Sequence, residues 1–227
     1  MKNDMKSAVC LMGLSEGKND KNDKVQNSVS YELMYDNVIK ENNADVFFHT
    51  WKKSDDHINC LVDLYSPVSY SAQPQIMFEK DPSNKLHWTK SRWFSHKQAL
   101  KLVDQHESMN DFKYDYVFVT RFDCDYYTKF NFTKYNPEKF WVANWPDNRG
   151  PVGFIDLWFL SNSKNMKKFG SVYDHLTNEV IRSYGISNHI ISYEMVKKFN
   201  IEWDYTELYE APIRPLIPRA DFMIRRG

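Results

Sequence analysis

The sequence has no surplus of charge of either sign: 30 Lys and Arg residues are matched by 30 Asp and Glu. That balance removes the electrostatic footprint of a protein that holds nucleic acid or an anionic membrane, so any phosphate recognition has to be local. Cysteine is scarce too. Cys10, Cys60 and Cys124 are scattered and form no Cys-x-x-Cys pair, which excludes a disulfide framework or a cysteine-built zinc site and suits reduced thiols in the cytoplasm. Long apolar runs are missing as well. The amino-terminal Ala-Val-Cys-Leu-Met at 8–12 is too short for a signal-peptide core or a membrane span. The expectation is a soluble, cytoplasmic protein with no membrane span. No internal repeat or low-complexity tract is present.

Aromatic residues are plentiful, 16% of a 227-residue chain, as a thick core or a carbohydrate-facing cleft requires. That length suits one domain. Residues 7–13 read as a buried strand stopping at Gly13, where a backbone can turn tightly or approach a ligand. A polar, Lys/Asn/Asp-rich loop runs to Asn27. Residues 28–43 follow with helical spacing (Val29, Leu33 and Val38, beside Met34 and Ile39), capped by Ser28 or Ser30. A second strand at 45–51 closes a βαβ unit, which implies parallel pairing. Residues 52–90, broken by Pro67, Pro74 and Pro82, read as one strand and loops.

Residues 91–104 return to helical spacing, with Trp93, Ala99, Leu100 and Val103 on one side and Ser91 as cap. This helix feeds a run at 114–122 rich in aromatic and β-branched residues, with no alternation in its middle, the pattern of a central strand covered on both faces. The run ends in Asp123-Cys124-Asp125. The carboxyl edge of such strands is where open α/β sheets bind ligands, and positions i and i+2 of an extended chain point the same way. Strands at 140–144 and 156–160 follow. Two helices come next, one with the stripe Met166, Phe169, Tyr173 and Leu176 capped by Ser161, Asn162 or Ser163, the other with Ile191, Met195 and Phe199 after Ser187. A late strand is expected at 201–205.

An Asp-x-Asp string also suits a strand leaving the core or a turn cap. A second reading is a haloacid-dehalogenase-type phosphatase, although that family wants Thr or Val where this chain has Tyr127. A third is a non-catalytic carbohydrate-binding module built on the aromatic surplus.

The stretch Val117-Phe118-Val119-Thr120-Arg121-Phe122-Asp123-Cys124-Asp125 resembles the DxD segment of GT-A-fold glycosyltransferases, and the order of segments over most of 7–205 is similar to small polysaccharide-building transferases of bacteria and large algal viruses. The resemblance implies an α/β fold, a Rossmann-like GT-A single domain over 1–227 with a mixed, mainly parallel sheet. The donor-binding part would lie at about 7–127, the acceptor side at about 138–205, and a tail at 211–227. It implies transfer of a sugar from a nucleotide donor, UDP above all, to a glycan acceptor with the aid of Mn²⁺ or Mg²⁺. Hard carboxylate oxygens suit those ions, and a divalent cation would accept the charge of the pyrophosphate leaving group.

By the resemblance, Asp125 binds the metal directly, Asp123 lies toward the ribose or a metal-bound water, and His189 is the histidine recruited to the metal. Gly13, Thr50, Lys97 and Arg121 join Asp123 as donor-side candidates, and Arg92 also comes within reach of phosphate. Asp156 is the first candidate for the base that deprotonates the acceptor, Glu194 the second. Trp145 and Trp158 are the candidate sugar platforms.

Overall fold

A non-alternating strand needs apolar cover on both faces, and a computed structural model shows where that cover comes from. The structure describes residues 5–18, 24–79, 81–83, 85–144, 153–209 and 222–224. The first half contains β1 (Ser7–Gly13), β2 (Glu16–Lys18), β3 (Lys24–Gln26), α1 (Asn27–Met34) running into a π-helical turn (Tyr35–Ile39), β4 (Asp45–Trp51), α2 (Asp55–Tyr65), β5 (Ser69–Gln73) and α3 (Lys85–Asn110). The second half contains β6 (Tyr116–Arg121), β7 (Cys124–Tyr126), β8 (Phe140–Asn144), β9 (Trp158–Ser161), α4 (Ser163–Gly170), α5 (Asn178–Ser183), α6 (Asn188–Lys198), β10 (Trp203–Tyr209) and β11 (Phe222–Ile224).

Seven strands form one sheet in the order β10-β8-β9-β6-β1-β4-β5. Pairing is parallel throughout except at β9, which runs against both β6 and β8. On one face Cys10, Met12, Val117 and Val119 pack against Trp93, Ala99 and Leu100 of α3, Met166 and Phe169 of α4, and Ile191 and Met195 of α6. On the other, Val9, Leu11 and Phe118 meet Met34, Val38, Ile58 and Leu61 from the α1 and α2 side, together with Phe130 and Phe132. This is a mixed, mainly parallel α/β layering, with helices on both faces of one sheet. Among the described residues no helix is long and apolar enough to cross a membrane.

Met34, Val38, Trp93, Leu100, Met166, Phe169, Ile191 and Met195, read from spacing as covered faces, are buried. However, α4 ends at Gly170, and Tyr173 lies in the 3-10 turn after it. Asn162 caps α4 by accepting from the Asn165 N–H at 2.9 Å. Four expectations are corrected. Residues 52–90 hold a helix as well as a strand: Ser54 caps α2 through the His57 N–H at 3.1 Å, and Ile58, Leu61 and Tyr65 fall on one stripe. The polar segment after Gly13 contains the antiparallel β2–β3 pair. Ser28 and Ser30 lie inside α1, and Ser91 lies well inside α3, which starts at Lys85. The short helix α5, with Thr177 as its cap at 3.1 Å from Val180 N, went unread because only Ile181 of it is buried. Trp145 and most of the 211–227 tail lie outside the described residues.

Trp158 was expected to meet a sugar and does not. It is wholly buried, with its ring centroid 5.6 Å from that of Phe118 and 5.0 Å from that of Phe130. It opens β9 beneath the central strand, so its indole fills the core rather than a cleft.

Candidate functional site

Three parallel strands stop at one edge: β1 at Gly13, β4 at Trp51 and β6 at Arg121, with Gly13 opposite Thr50 and Met12 opposite Arg121. Because β9 runs the other way, it enters the sheet at this same edge with Trp158 opposite Thr120, and Asp156 arrives beside the end of β6. A cleft of about 180 Å³ opens there, lined by Gly13, Trp51, Lys53, Gln75, Trp88, Ser91, Arg92, Arg121, Asp123, Asp156 and Asn188, among others. A larger groove of about 860 Å³ lies beside Lys6, Asp45, His106 and Phe112. Two of its polar groups are tied together, since the Tyr114 hydroxyl donates to Asp45 Oδ2 at 2.6 Å and lies 3.0 Å from His106 Nδ1. The cleft is the candidate site because the charged groups converge in it.

Gly13 has φ +97° and reaches the cleft with its backbone. Its N–H donates to Ser95 Oγ at 2.7 Å, and Ser95 Oγ is 2.7 Å from His49 Nδ1. The serine hydroxyl accepts from Gly13 and also lies 3.4 Å from the His49 backbone oxygen, to which it donates. Burial disfavours the charged imidazole and pushes His49 down to about 4. Thr50, wholly buried, donates to Gly13 O at 3.0 Å and lies 2.6 Å from Ser15 Oγ. Expected as a donor contact, Thr50 instead holds the Gly13 turn from behind.

His96 is buried under the same sheet between Trp93 and Phe169, its nitrogens unpartnered among the described residues, and burial drives its pKa well below the ordinary value. Both histidines are therefore neutral when folded, while the unfolded chain takes up protons below about pH 6.5. Stability is then complete above pH 6.5 and declines as pH falls toward 4. Urea midpoints between pH 7 and pH 4.5 should show this decline. His96→Leu should keep the pH 7 midpoint and flatten the slope; an unchanged slope would place the loss elsewhere.

Arg121 grips Asp123 with a two-point fork, Nε to Oδ1 at 2.8 Å and Nη2 to Oδ2 at 2.6 Å. Burial opposes the guanidinium charge, but the Asp123 carboxylate outweighs it and holds the Arg121 pKa above its usual range. Arg92 makes the matching pair across the cleft. Its Nε donates to Asp156 Oδ2 at 2.9 Å and its Nη2 to the Asp156 backbone oxygen. Burial pushes the Asp156 carboxyl up, while Arg92 and then His189, 3.3 Å from Oδ1, pull it down to about 2. The approach to Asp156 is set by Gly153 (φ +135°), where a Cβ would fall 2.5 Å from the His189 carbonyl oxygen. Only glycine lets that loop reach the start of α6.

The expected residues divide. Gly13, Arg121, Asp123 and Asp156 meet in the cleft. Lys97 does not: it pairs with Asp174 on the opposite side of α3, and Arg92 takes the position expected of it. Glu194 is paired with Lys197 at 3.4 Å and does not line the cleft. Asp125 is buried in β7 with the Tyr127 hydroxyl 3.3 Å from its Oδ2, and His189 turns Nδ1 to the Phe154 oxygen at 2.7 Å. Of these three expected metal ligands, Asp123 alone lines the cleft. Among the described residues no three His, Cys, Asp or Glu side chains form a metal cage, and both oxygens of Asp123 already accept from Arg121. A divalent ion here would rest on one or two carboxylates and take the rest of its octahedron from diphosphate and water.

Trp88, Ser91 and Arg92 are residues that sequence reasoning passed over or left unassigned, and their i, i+3, i+4 spacing on α3 is the signal for them. Starting that helix at Ser91 rather than Lys85 hid it.

No protein-family model and no curated protein matches the chain. Among solved structures, one from Desulfovibrio desulfuricans G20, described as a candidate nucleotide-diphospho-sugar transferase, aligns over 90% of this chain and 80% of its own length at 12% identity with a TM-score of 0.47. A likeness of that size carries no functional conclusion.

Proposed function

We propose that the chain transfers a glycosyl group from a nucleoside diphosphate donor, UDP first among them, to the hydroxyl of a glycan acceptor. One observation carries the reading: two half-buried guanidiniums, each oriented by its own carboxylate, face a cleft at the carboxyl edge of three parallel strands, beside a glycine turn. In this reaction the bond between the anomeric carbon and the diphosphate oxygen breaks, and its electron pair leaves with the diphosphate. The acceptor oxygen bonds to that carbon, and its proton passes to the departing diphosphate. Cations fixed where the leaving charge develops favour the step without having to reorganise.

Asp156 Oδ2 accepts from Arg92 and its Oδ1 lies 3.3 Å from His189 Nδ1. Its role in this reading is to hold Arg92 in place. The phosphatase alternative needs Asp123 as a nucleophile, whereas both its oxygens accept from Arg121.

The test is release of nucleoside diphosphate from a panel of nucleotide sugars, alone and with oligosaccharide acceptors. Turnover with at least one donor, reduced at least tenfold in Arg121→Ala, is expected for the loss of one charged hydrogen-bonding group. Hydrolysis of a generic aryl phosphate with no turnover of any nucleotide sugar would replace the reading with the phosphatase.

A further inference from the structure

Resting on the transferase reading, the geometry points to a diphosphate held by the chain's own cations instead of by a protein-bound metal. Arg121 spends Nε and one Nη2 hydrogen on Asp123, and its Nη1 donors remain. Arg92 spends Nε on the Asp156 carboxylate and Nη2 on its backbone oxygen, with Nη1 beside Met12 Sδ at 3.8 Å. A guanidinium has five N–H donors in a rigid fork, so each arginine keeps hydrogens for a phosphate while its carboxylate fixes its plane.

Asn188 adds a third contribution. Its Oδ1 accepts from Trp93 Nε1 at 3.0 Å, which turns the amide's NH₂ toward the cleft that Asn188 lines. Lys53, exposed on the cleft wall, forms no ion pair among the described residues and supplies an ammonium. Three cations against two carboxylates leave the cleft one net positive charge. Its volume of about 180 Å³ is below the roughly 300 Å³ at which pockets begin to enclose a drug-sized ligand. It therefore suits one portion of a donor, and the two guanidiniums in its lining favour the diphosphate. The carboxylates expected on the metal have other work: Asp123 holds Arg121, and Asp125 does not line the cleft.

The experiment is calorimetric titration of UDP into the full chain, once after dialysis against EDTA and once with excess Mn²⁺. The dissociation constants are expected to agree within about threefold. Arg121→Lys, which keeps a cation for Asp123 but loses the fork, should bind at least tenfold more weakly in EDTA, the scale of one charge-assisted hydrogen bond. Lys53→Ala, a change on the cleft wall that breaks no ion pair, should weaken binding by about three- to tenfold on the same scale. Binding that appears only with Mn²⁺, with both variants equal to wild type, would overturn the inference and leave the transferase reading standing. No binding of UDP or of any other nucleoside diphosphate under either condition would overturn both.

Discussion

Asp156→Ala is expected to lower the unfolding free energy by about 3–5 kcal/mol, because it leaves the largely buried Arg92 guanidinium without its counter-charge. In a chain of this length each kcal/mol is roughly 2–4 °C in Tm, so the loss is visible in a thermal melt and in the urea midpoint. An ordinary surface carboxylate would cost under about 1 kcal/mol. A change that small would show that the pair is solvated and that Asp156 does not anchor Arg92. The pair also has a pH signature. The Asp156 carboxyl sits at about 2 when folded, below its ordinary 3.8. Its contribution is therefore present above pH 3.8 and disappears as pH falls through about 2.

Trp158→Ala is expected to cost about 3–5 kcal/mol as well, for a different reason. The indole is wholly buried against Phe118 and Phe130, and its removal leaves a large cavity beneath the central strand. Were Trp158 a platform for the acceptor sugar, the same substitution would raise the acceptor KM and leave the melting temperature nearly unchanged. Denaturant unfolding of the variant separates the two outcomes.

What could be read from the sequence follows a physical division. The run 116–119 announces a strand covered on both faces because it carries apolar or aromatic side chains at successive positions without alternation, and α4 and α6 announce themselves because each buries one side. The edge at which ligands bind followed from the βαβ opening, since parallel strands share a carboxyl end. Direction along the edge was less legible. Asp123 and Asp125 are two apart, but Phe122 and Asp123 form a turn and Asp125 belongs to the separate strand β7. The rule that i and i+2 share a face holds only while the chain stays extended.

Pairing over long separations was not legible at all. Nothing local shows that Arg92 meets Asp156, 64 residues on, or that Trp93 fixes Asn188, 95 residues on. Aromatic content was ambiguous for the same reason, since a ring in the core and a ring in a sugar site look alike in sequence. Packing placed Trp158 in the core and left Trp88 half-buried on the cleft wall.

The most direct measurement of the central claim is amide hydrogen exchange of the whole chain with and without a UDP-sugar. Bound donor is predicted to slow exchange in the segments that meet at the carboxyl edge, around residues 12–14, 51–53, 88–92 and 121–123, and to leave the groove beside Lys6 and Phe112 unchanged. Exchange unaltered at all four segments under saturating donor, or protection confined to that opposite groove, would contradict it.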